Sequence, residues 1–303
     1  MRNRFMTVPV LATSLWLLAS AVPASSWGSV TIGANLAVLT PGAFGYNCSS
    51  SHQCTVANTS LVPSVTASGG FASPVKGTVT SFQVRTGDVA APIQLRILRP
   101  AGQQYTGAGT GASVTPPLNQ ISPAFSVSLP IVPGEIVALN CCMNGGGVNN
   151  TTSAPIGNFA SWGTVAFLPL ADGETRGPDS GTHDGAMMLS AQVEPDNSFT
   201  LGTAKAIGRQ VNVDVTVPNP GVLNAGDPRD ATVAVAAKKK KKKKARLLRP
   251  ATLNVAAAGA ATLVVNLTKA GRARLKRAGK LKLKVVYTPN FGQAATQKTK
   301  AKR

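Results

Sequence analysis

The sequence has few of the residues from which active sites are usually built. It contains two histidines, His52 and His183, and only 11 aspartates and glutamates in 303 residues. It has no HExxH zinc-protease motif and no GxSxG nucleophile motif, and no Walker pattern follows its glycine-rich stretches. These absences argue against the common hydrolase and nucleotide-binding classes, and they favour a protein that is not an enzyme and needs no cofactor.

Long helical patterns are also missing, and short alternating patterns take their place. Stretches such as GTVTSFQV, IQLRIL and QVNVDVTV alternate apolar and polar residues, as half-buried strands do. The 30 glycines and 21 prolines supply frequent turns between them. The sequence therefore predicts an all-β protein: an N-terminal β-sandwich, jelly-roll-like, over 25–197 and a C-terminal immunoglobulin-like β-sandwich over 198–303.

One helix is predicted in the second domain. The segment TKAGRARLKRAGK offers Thr268 as the N-cap and Gly279 as the stop.

The first 24 residues have the composition of a signal peptide. Arg2 and Arg4 precede an apolar run, and a small-residue site follows at Val22-Pro23-Ala24. The apolar run is too short for a comfortable membrane span, and no later segment has spanning length. We expect a secreted protein with no membrane span, either extracellular or held peripherally at the cell envelope.

Positive charge is concentrated in the second domain. Residues 198–303 contain 24 Lys and Arg against 3 Asp and Glu, a net charge of +21, whereas residues 25–197 carry −3. Such asymmetry suggests that one part of the molecule meets an anionic surface or polymer.

The densest charge is a run of seven lysines between two predicted strands. Its candidate polyanion-binding residues, with two neighbouring arginines, are Lys238, Lys239, Lys240, Lys241, Lys242, Lys243, Lys244, Arg246 and Arg249. Adjacent ammonium groups repel each other, so the run is predicted to be a long loop, either an electrostatic anchor or only a solvated segment. No aromatic residue interleaves with the lysines, which argues against base stacking and against sequence-specific nucleic-acid recognition.

A second basic cluster spans the predicted helix and the strand that follows it. Alternation in LKLKVV places Lys282 and Lys284 on one exposed face. The remaining members of this cluster are Lys269, Arg272, Arg274, Lys276, Arg277 and Lys280.

The four cysteines all lie in the first domain, at Cys48, Cys54, Cys141 and Cys142. An even number of cysteines in an exported chain favours disulfides over a zinc site that would also use His52. Because adjacent cysteines form a strained ring, we expect the 48/54 pair to be cross-linked to the 141/142 pair, which would close a loop of about ninety residues.

One polar loop, ADGETRGPDSGTHDG, gathers several carboxylates: Asp172, Glu174, Asp179 and Asp184. Carboxylates among glycines are typical of calcium loops, two carboxylates can serve a glycosidase, and a plain surface loop is the default. Trp27 and Trp162 could stack on a sugar, although core packing is the commoner role of an aromatic residue.

The two domains also resemble known protein architecture. The pieces FTLG, VPNPG and VNLTKAGRARLKRAGKLKLKVVYTPNFG resemble the immunoglobulin-like C-terminal module of secreted proteins from high-GC soil bacteria. The pieces GTVTSFQVRTG, IQLRILRP, SLPIVPGE and VEPD resemble the uncharacterised all-β domain that often precedes it. The resemblance implies an architecture and no catalytic residues.

These observations favour a secreted, non-enzymatic interaction protein whose basic module adheres to anionic cell-wall or extracellular polymers. The alternative is a carbohydrate-binding, lectin-like protein, with calcium at the Asp172–Asp184 loop. An extracellular polysaccharide hydrolase is a third candidate.

Overall fold

The computed structural model describes residues 28–40, 46–48, 51–89, 91–143, 148, 150–151, 156–163, 168–179, 181–228 and 245–303. Within these ranges it is built almost entirely of β-strands, which confirms the all-β prediction. The predicted signal peptide, Trp27 and the lysine run Lys238–Lys244 lie outside the described residues.

The N-terminal region, residues 28–197, contains the first thirteen strands and one 3-10 turn at Pro63–Val65. The strands are β1 (Val30–Gly33), β2 (Cys54–Leu61), β3 (Gly77–Val84), β4 (Ile93–Ala101), β5 (Gln104–Val114), β6 (Phe125–Ile131), β7 (Ile136–Cys141), β8 (Asn150–Thr151), β9 (Gly157–Trp162), β10 (Thr175–Arg176), β11 (Thr182–Asp184), β12 (Ala186–Met187) and β13 (Leu189–Pro195).

These strands form a two-layer sandwich. One sheet has the order β1-β13-β3-β6 and the other has the order β10-β5-β4-β7-β2-β9-β11, while β12 and β8 form a separate pair. The main core lies between the layers, where Val79 and Val193 of the first sheet join the same apolar cluster as Leu95 and Leu139 of the second. A smaller cluster around Trp162 covers the opposite face of the larger sheet.

The C-terminal region, residues 198–303, contains seven strands and one helix. They are β14 (Thr200–Ile207), β15 (Gln210–Val217), β16 (Gly221–Gly226), β17 (Ala251–Val255), β18 (Gly259–Asn266), α1 (Lys269–Ala278), β19 (Lys280–Pro289) and β20 (Ala295–Lys302).

The seven strands form one curled sheet in the order β17-β16-β19-β20-β14-β15-β18. The edge strands β17 and β18 approach each other, so the sheet wraps around its own core. Strand β15 shows how alternation produces this core: Val211, Val213, Val215 and Val217 are all buried, while Asp214 is exposed. A valine at every second position gives the strand one apolar face, and burial of that face stabilises the sheet.

Helix α1 begins and ends where the sequence predicts. The Thr268 hydroxyl accepts a hydrogen bond from the backbone N–H of Gly271 at 3.0 Å, and Gly279 ends the helix with φ 64°. Ten residues long and rich in arginine and lysine, this helix is too short and too polar to span a membrane, and no other helix of the described ranges could do so.

The structure shows that the cysteine pairing expected from the sequence is wrong. Disulfides join Cys48 to Cys54 and Cys141 to its neighbour Cys142, with Cα–Cα distances of 5.8 and 3.7 Å. The two segments are nevertheless neighbours, joined by hydrogen bonds and not by a disulfide. Cys54 lies directly opposite Cys141 in the β2–β7 pair, and the N–H of Cys48 donates to the carbonyl of Cys142 at 2.9 Å. The bridges therefore close local loops and not a loop of ninety residues.

The two regions meet at a polar seam centred on Asn219, which is fully buried. Its side-chain oxygen accepts from the N–H of Lys76 at 2.6 Å, and its amide nitrogen donates to the carbonyls of Lys76 and Asp196. The hydroxyl of Tyr287 donates to the Asn219 carbonyl at 2.7 Å. No sheet of the described chain pairs strands from both sides of residue 198, and each apolar cluster draws on one side only. The domain boundaries themselves stay a prediction.

Candidate functional site

The most unusual feature of the described chain is a double row of lysines on the outer face of β19 and β20. Lysine alternates with buried or half-buried residues in both strands, so their side chains share one face. The antiparallel register places Lys280 opposite Lys302, Lys282 opposite Lys300, and Lys284 opposite Lys298. We call these six residues the lysine ladder.

This arrangement is electrostatically unfavourable in the isolated protein. Like charges directly opposite each other in an antiparallel pair destabilise a sheet, whereas favourable cross-strand pairs contribute roughly 0.2–1 kcal/mol each. Five ladder lysines form no ion pair with any described residue: Lys280, Lys282, Lys298, Lys300 and Lys302. Folding alone gives no reason for the two successive pairs Lys280/Lys302 and Lys282/Lys300.

A groove lies beside the ladder, along one side of helix α1. Residues spaced three and four apart on the helix, among them Arg274 and Arg277, face the groove together. Gly271 lets the helix approach the preceding segment, because any Cβ at that position would collide with the carbonyl oxygen of Leu247. The Thr268 hydroxyl fixes the same segment, because it lies within hydrogen-bond distance of the carbonyl oxygens of Arg246 and Leu247, at 2.7 and 3.1 Å, to which it donates.

The groove encloses about 870 Å³. Its walls combine basic side chains with small apolar ones: Asp227, Pro228, Ala245, Leu247, Ala270, Ala273, Arg274, Arg277, Ala278, Lys280, Lys282 and Lys300. Five of these residues are cationic and one is acidic. The acidic residue, Asp227, is buried and accepts a hydrogen bond from the N–H of Leu247 at 3.1 Å. We call this site the arginine groove; it shares Lys280, Lys282 and Lys300 with the ladder.

The predicted lysine-run site is only partly described. Lys238–Lys244 lie outside the described residues, and Ala245, which directly follows the run, lines the arginine groove. Arg246 and Arg249 are exposed. The backbone N–H of Arg249 donates to the Asn266 carbonyl at 2.9 Å, which ties this segment to the end of β18.

Sequence reasoning found half of the ladder and missed the other half. Lys282 is exposed and Lys284 half-buried on the face that the alternation predicts. Strand β20 was not predicted, because its sequence ATQKTKAK has no apolar stripe. The available signal was the spacing of Lys298, Lys300 and Lys302 at every second position, which is the period of a strand.

Three of the four carboxylates of the predicted calcium loop form ion pairs with arginines. Nη2 of Arg96 lies 2.8 Å from Oδ1 of Asp172, and Arg176 lies 3.0 Å from Glu174 and 3.5 Å from Asp179. Burial lowers the pKa of Arg96, and the nearby Asp172 and Glu174 carboxylates act in the opposite direction.

The fourth carboxylate of that loop, Asp184, lies apart from these pairs. Its Oδ1 is 3.1 Å from the side-chain amide of Asn158. No group of three His, Cys, Asp or Glu side chains in the described ranges is arranged to hold a metal ion. The geometry thus gives these carboxylates a place in the fold and gathers no calcium ligands among the described residues.

The aromatic candidates are also part of the packing. Trp162 is fully buried, packs edge-on against Tyr105 and donates its Nε1–H to the Arg176 carbonyl at 3.3 Å. A buried ring cannot stack on a sugar, so that hypothesis is wrong for Trp162. His183 stacks on Phe159 at 5.1 Å, within the same sandwich.

Comparisons with known proteins found no match, so a function has to be argued from this geometry. No family model, no curated protein and no solved structure matches the chain.

Proposed function

We propose that this protein is a secreted, non-enzymatic interaction protein whose C-terminal region binds anionic polymers of the cell envelope or extracellular matrix. The lysine ladder carries the proposal. Two directly opposed lysine pairs, Lys280/Lys302 and Lys282/Lys300, cost stability in the free protein, and a polyanion lying along the two strands would remove that cost.

The spacing of the ladder suits a linear polymer. Successive lysines on each strand are two residues apart, a rise of about 6.7 Å, and the two rows are about 5 Å apart. Each lysine near an anionic surface contributes about 1 kcal/mol. Such contacts recognise charge and its spacing, not a chemical sequence, so the binding is non-specific.

The lysine run adds to the same surface in this proposal. Ala245, the residue that directly follows Lys244, lines the arginine groove, which supports a contribution of the run to this surface. Secretion and localisation outside the cell rest on the composition of residues 1–24, and the resemblance to secreted modules of high-GC soil bacteria supports the same proposal.

The test is a salt series of binding measurements on the full chain, with long-chain polyphosphate and duplex DNA as probes. We expect the logarithm of affinity to fall linearly with the logarithm of salt concentration. The variant Lys284→Gln/Lys298→Gln removes one opposed pair and should lower the slope on DNA by about 1.8 if both lysines contact phosphates. A chain with serines at Lys238–Lys244 measures the contribution of the run in the same way.

The matched control is Lys269→Gln/Lys276→Gln, which removes two charges from exposed positions of helix α1 outside both the ladder and the groove. It should change the slope less than the ladder variant does. No binding of either polymer at low salt, or equal slopes for the ladder and control variants, would contradict the proposal.

A further inference from the structure

The arginine groove differs from the ladder in shape. The ladder is a row on a strand surface, whereas the groove is concave and encloses about 870 Å³. This volume lies within the range of small-molecule sites, roughly 300–1,000 Å³. A concave site of this size suits one compact chemical group and not a length of polymer.

The charge of the groove indicates an anion. Five cationic side chains converge on it, and its one carboxylate, Asp227, accepts a hydrogen bond from backbone within the wall. The helix dipole alone would be complemented by the two cations of the last turn, Lys276 and Arg277, of which only Arg277 faces the groove. Arg274 and the three groove lysines are therefore not needed to complement the helix dipole.

The kind of cation suits an oxyanion such as a phosphate ester. Arg274 and Arg277 are one helical turn apart, so two planar guanidinium groups reach the same space. Guanidinium binds the oxygens of phosphates and carboxylates in a bidentate manner, which lysine cannot do, and the malonate measurement below distinguishes the two. The alanines of the wall and Leu247 provide apolar surface against which the carbon part of such an ester can pack.

We propose that the arginine groove is a distinct subsite for a single phosphate ester of small-molecule size, carried either by an anionic polymer or by a lipid head group. This inference rests on the proposed function, since it assigns the groove to one phosphorylated unit and the ladder to the polymer beyond it. The residues shared by the two sites, Lys280, Lys282 and Lys300, belong to two successive pairs of the ladder and place the subsite toward its Lys280–Lys302 end.

The experiment is calorimetric titration of the full chain with glycerol 3-phosphate, with malonate as a doubly charged anion that lacks a phosphate. We expect saturable one-to-one binding of glycerol 3-phosphate and at least tenfold weaker binding of malonate. Arg274→Gln/Arg277→Gln should weaken glycerol 3-phosphate binding about 100-fold, because each charge-assisted hydrogen bond is worth roughly a factor of ten. The control Lys269→Gln/Lys276→Gln, on the same helix and with the same loss of charge, should change it less than threefold. Circular dichroism establishes that both variants are folded.

A competition arm identifies the source of the phosphate. Bound glycerol 3-phosphate is challenged with short-chain polyphosphate and, separately, with phosphatidylglycerol vesicles; displacement by either supports the subsite, and displacement by neither overturns it. Absence of saturable binding, equal affinity for malonate, or equal losses in the two variants would also overturn it. Long-chain polyphosphate measured on the same samples separates the two proposals: if it still binds, only the subsite fails, and if it does not, the proposed function fails as well.

Discussion

In the N-terminal region four of the five basic side chains lie in ion pairs with carboxylates, whereas in the C-terminal region the ladder lysines lie opposite one another. Arg96, Arg99, Arg176 and Lys76 each have an acidic partner within 3.5 Å. The fifth, Arg85, has no ion pair among the described residues. Both regions bury apolar cores of similar character, so the difference lies in the charges and not in the packing.

The contrast separates two uses of charge. A cation that has a carboxylate beside it, or is buried with one, contributes to the fold, and its removal leaves a partner without compensation. A cation held next to other cations costs stability, and we propose that an anionic partner outside the chain offsets this cost. The same substitution, a basic residue replaced by glutamine, should therefore destabilise the first region and stabilise the second.

The largest effect is expected at Arg99 in the N-terminal region. Glu135 is almost fully buried, and its carboxylate accepts from Nε of Arg99 at 2.9 Å and from the N–H of Val132 at 2.8 Å. Arg99→Gln leaves that buried carboxylate without a cation and should lower the free energy of unfolding by about 2–3 kcal/mol. Urea denaturation measures it, with Arg85→Gln as the control, for which we expect less than about 0.5 kcal/mol. Equal losses of stability in Arg99→Gln and Arg85→Gln would contradict the proposed difference between paired and unpaired cations.

The next effect concerns packing in the C-terminal region. Gly271→Ala introduces a Cβ against the carbonyl oxygen of Leu247 and should destabilise the protein by about 1–2 kcal/mol, although alanine is the better helix former. If the stability of this region depends on packing and not on its cations, Gly271→Ala will change the free energy of unfolding more than any ladder substitution does. A stabilised Gly271→Ala protein in thermal unfolding would show that helix α1 does not approach Leu247 closely.

A smaller effect is expected at the seam between the regions. Burial raises the pKa of Tyr287 to about 12, although its hydrogen bond to Asn219 acts in the opposite direction. The unfolded tyrosine loses its proton near pH 10. The stability that Tyr287 contributes is therefore complete below pH 10 and is lost as the pH rises toward about 12. Tyr287→Phe should cost about 1 kcal/mol at neutral pH and reduce this alkaline loss. Urea denaturation at pH 8 to 11 measures both, and an unchanged alkaline slope in the variant would exclude Tyr287 as its source.

The smallest effect has the opposite sign. Lys282→Gln/Lys300→Gln removes one directly opposed pair and should stabilise the free protein by about 0.5 kcal/mol at low ionic strength. The gain should shrink as salt screens the repulsion over roughly 8–10 Å. Urea denaturation at low and high salt measures this gain in stability, with Lys269→Gln/Lys276→Gln as the control. A destabilised ladder variant would mean that these lysines serve the fold.

Local patterns in the sequence predicted local structure well. The alternating valines of β15 and the caps of helix α1 at Thr268 and Gly279 are short-range features, so the structure matches them. Strand β5, QYTGAGTGASV, escaped prediction because glycine has no side chain to reveal alternation.

The site itself depended on pairings that no local pattern contains. The ladder needs the register of β19 against β20, and the groove needs helix α1 to lie against the segment at Leu247. The disulfide expectation failed for a different, local reason: it excluded a bridge between adjacent cysteines, and the structure has one between Cys141 and Cys142.

The most direct test of the central claim compares the stability of the wild-type full chain with that of Lys282→Gln/Lys300→Gln, with and without long-chain polyphosphate. Without the polymer the variant should be the more stable protein. With the polymer at about 100 times its dissociation constant, binding should add about 2.7 kcal/mol to the wild type and less to the variant, so the order should reverse. An order that stays the same in both conditions would contradict the claim that these cations are retained for an anionic partner.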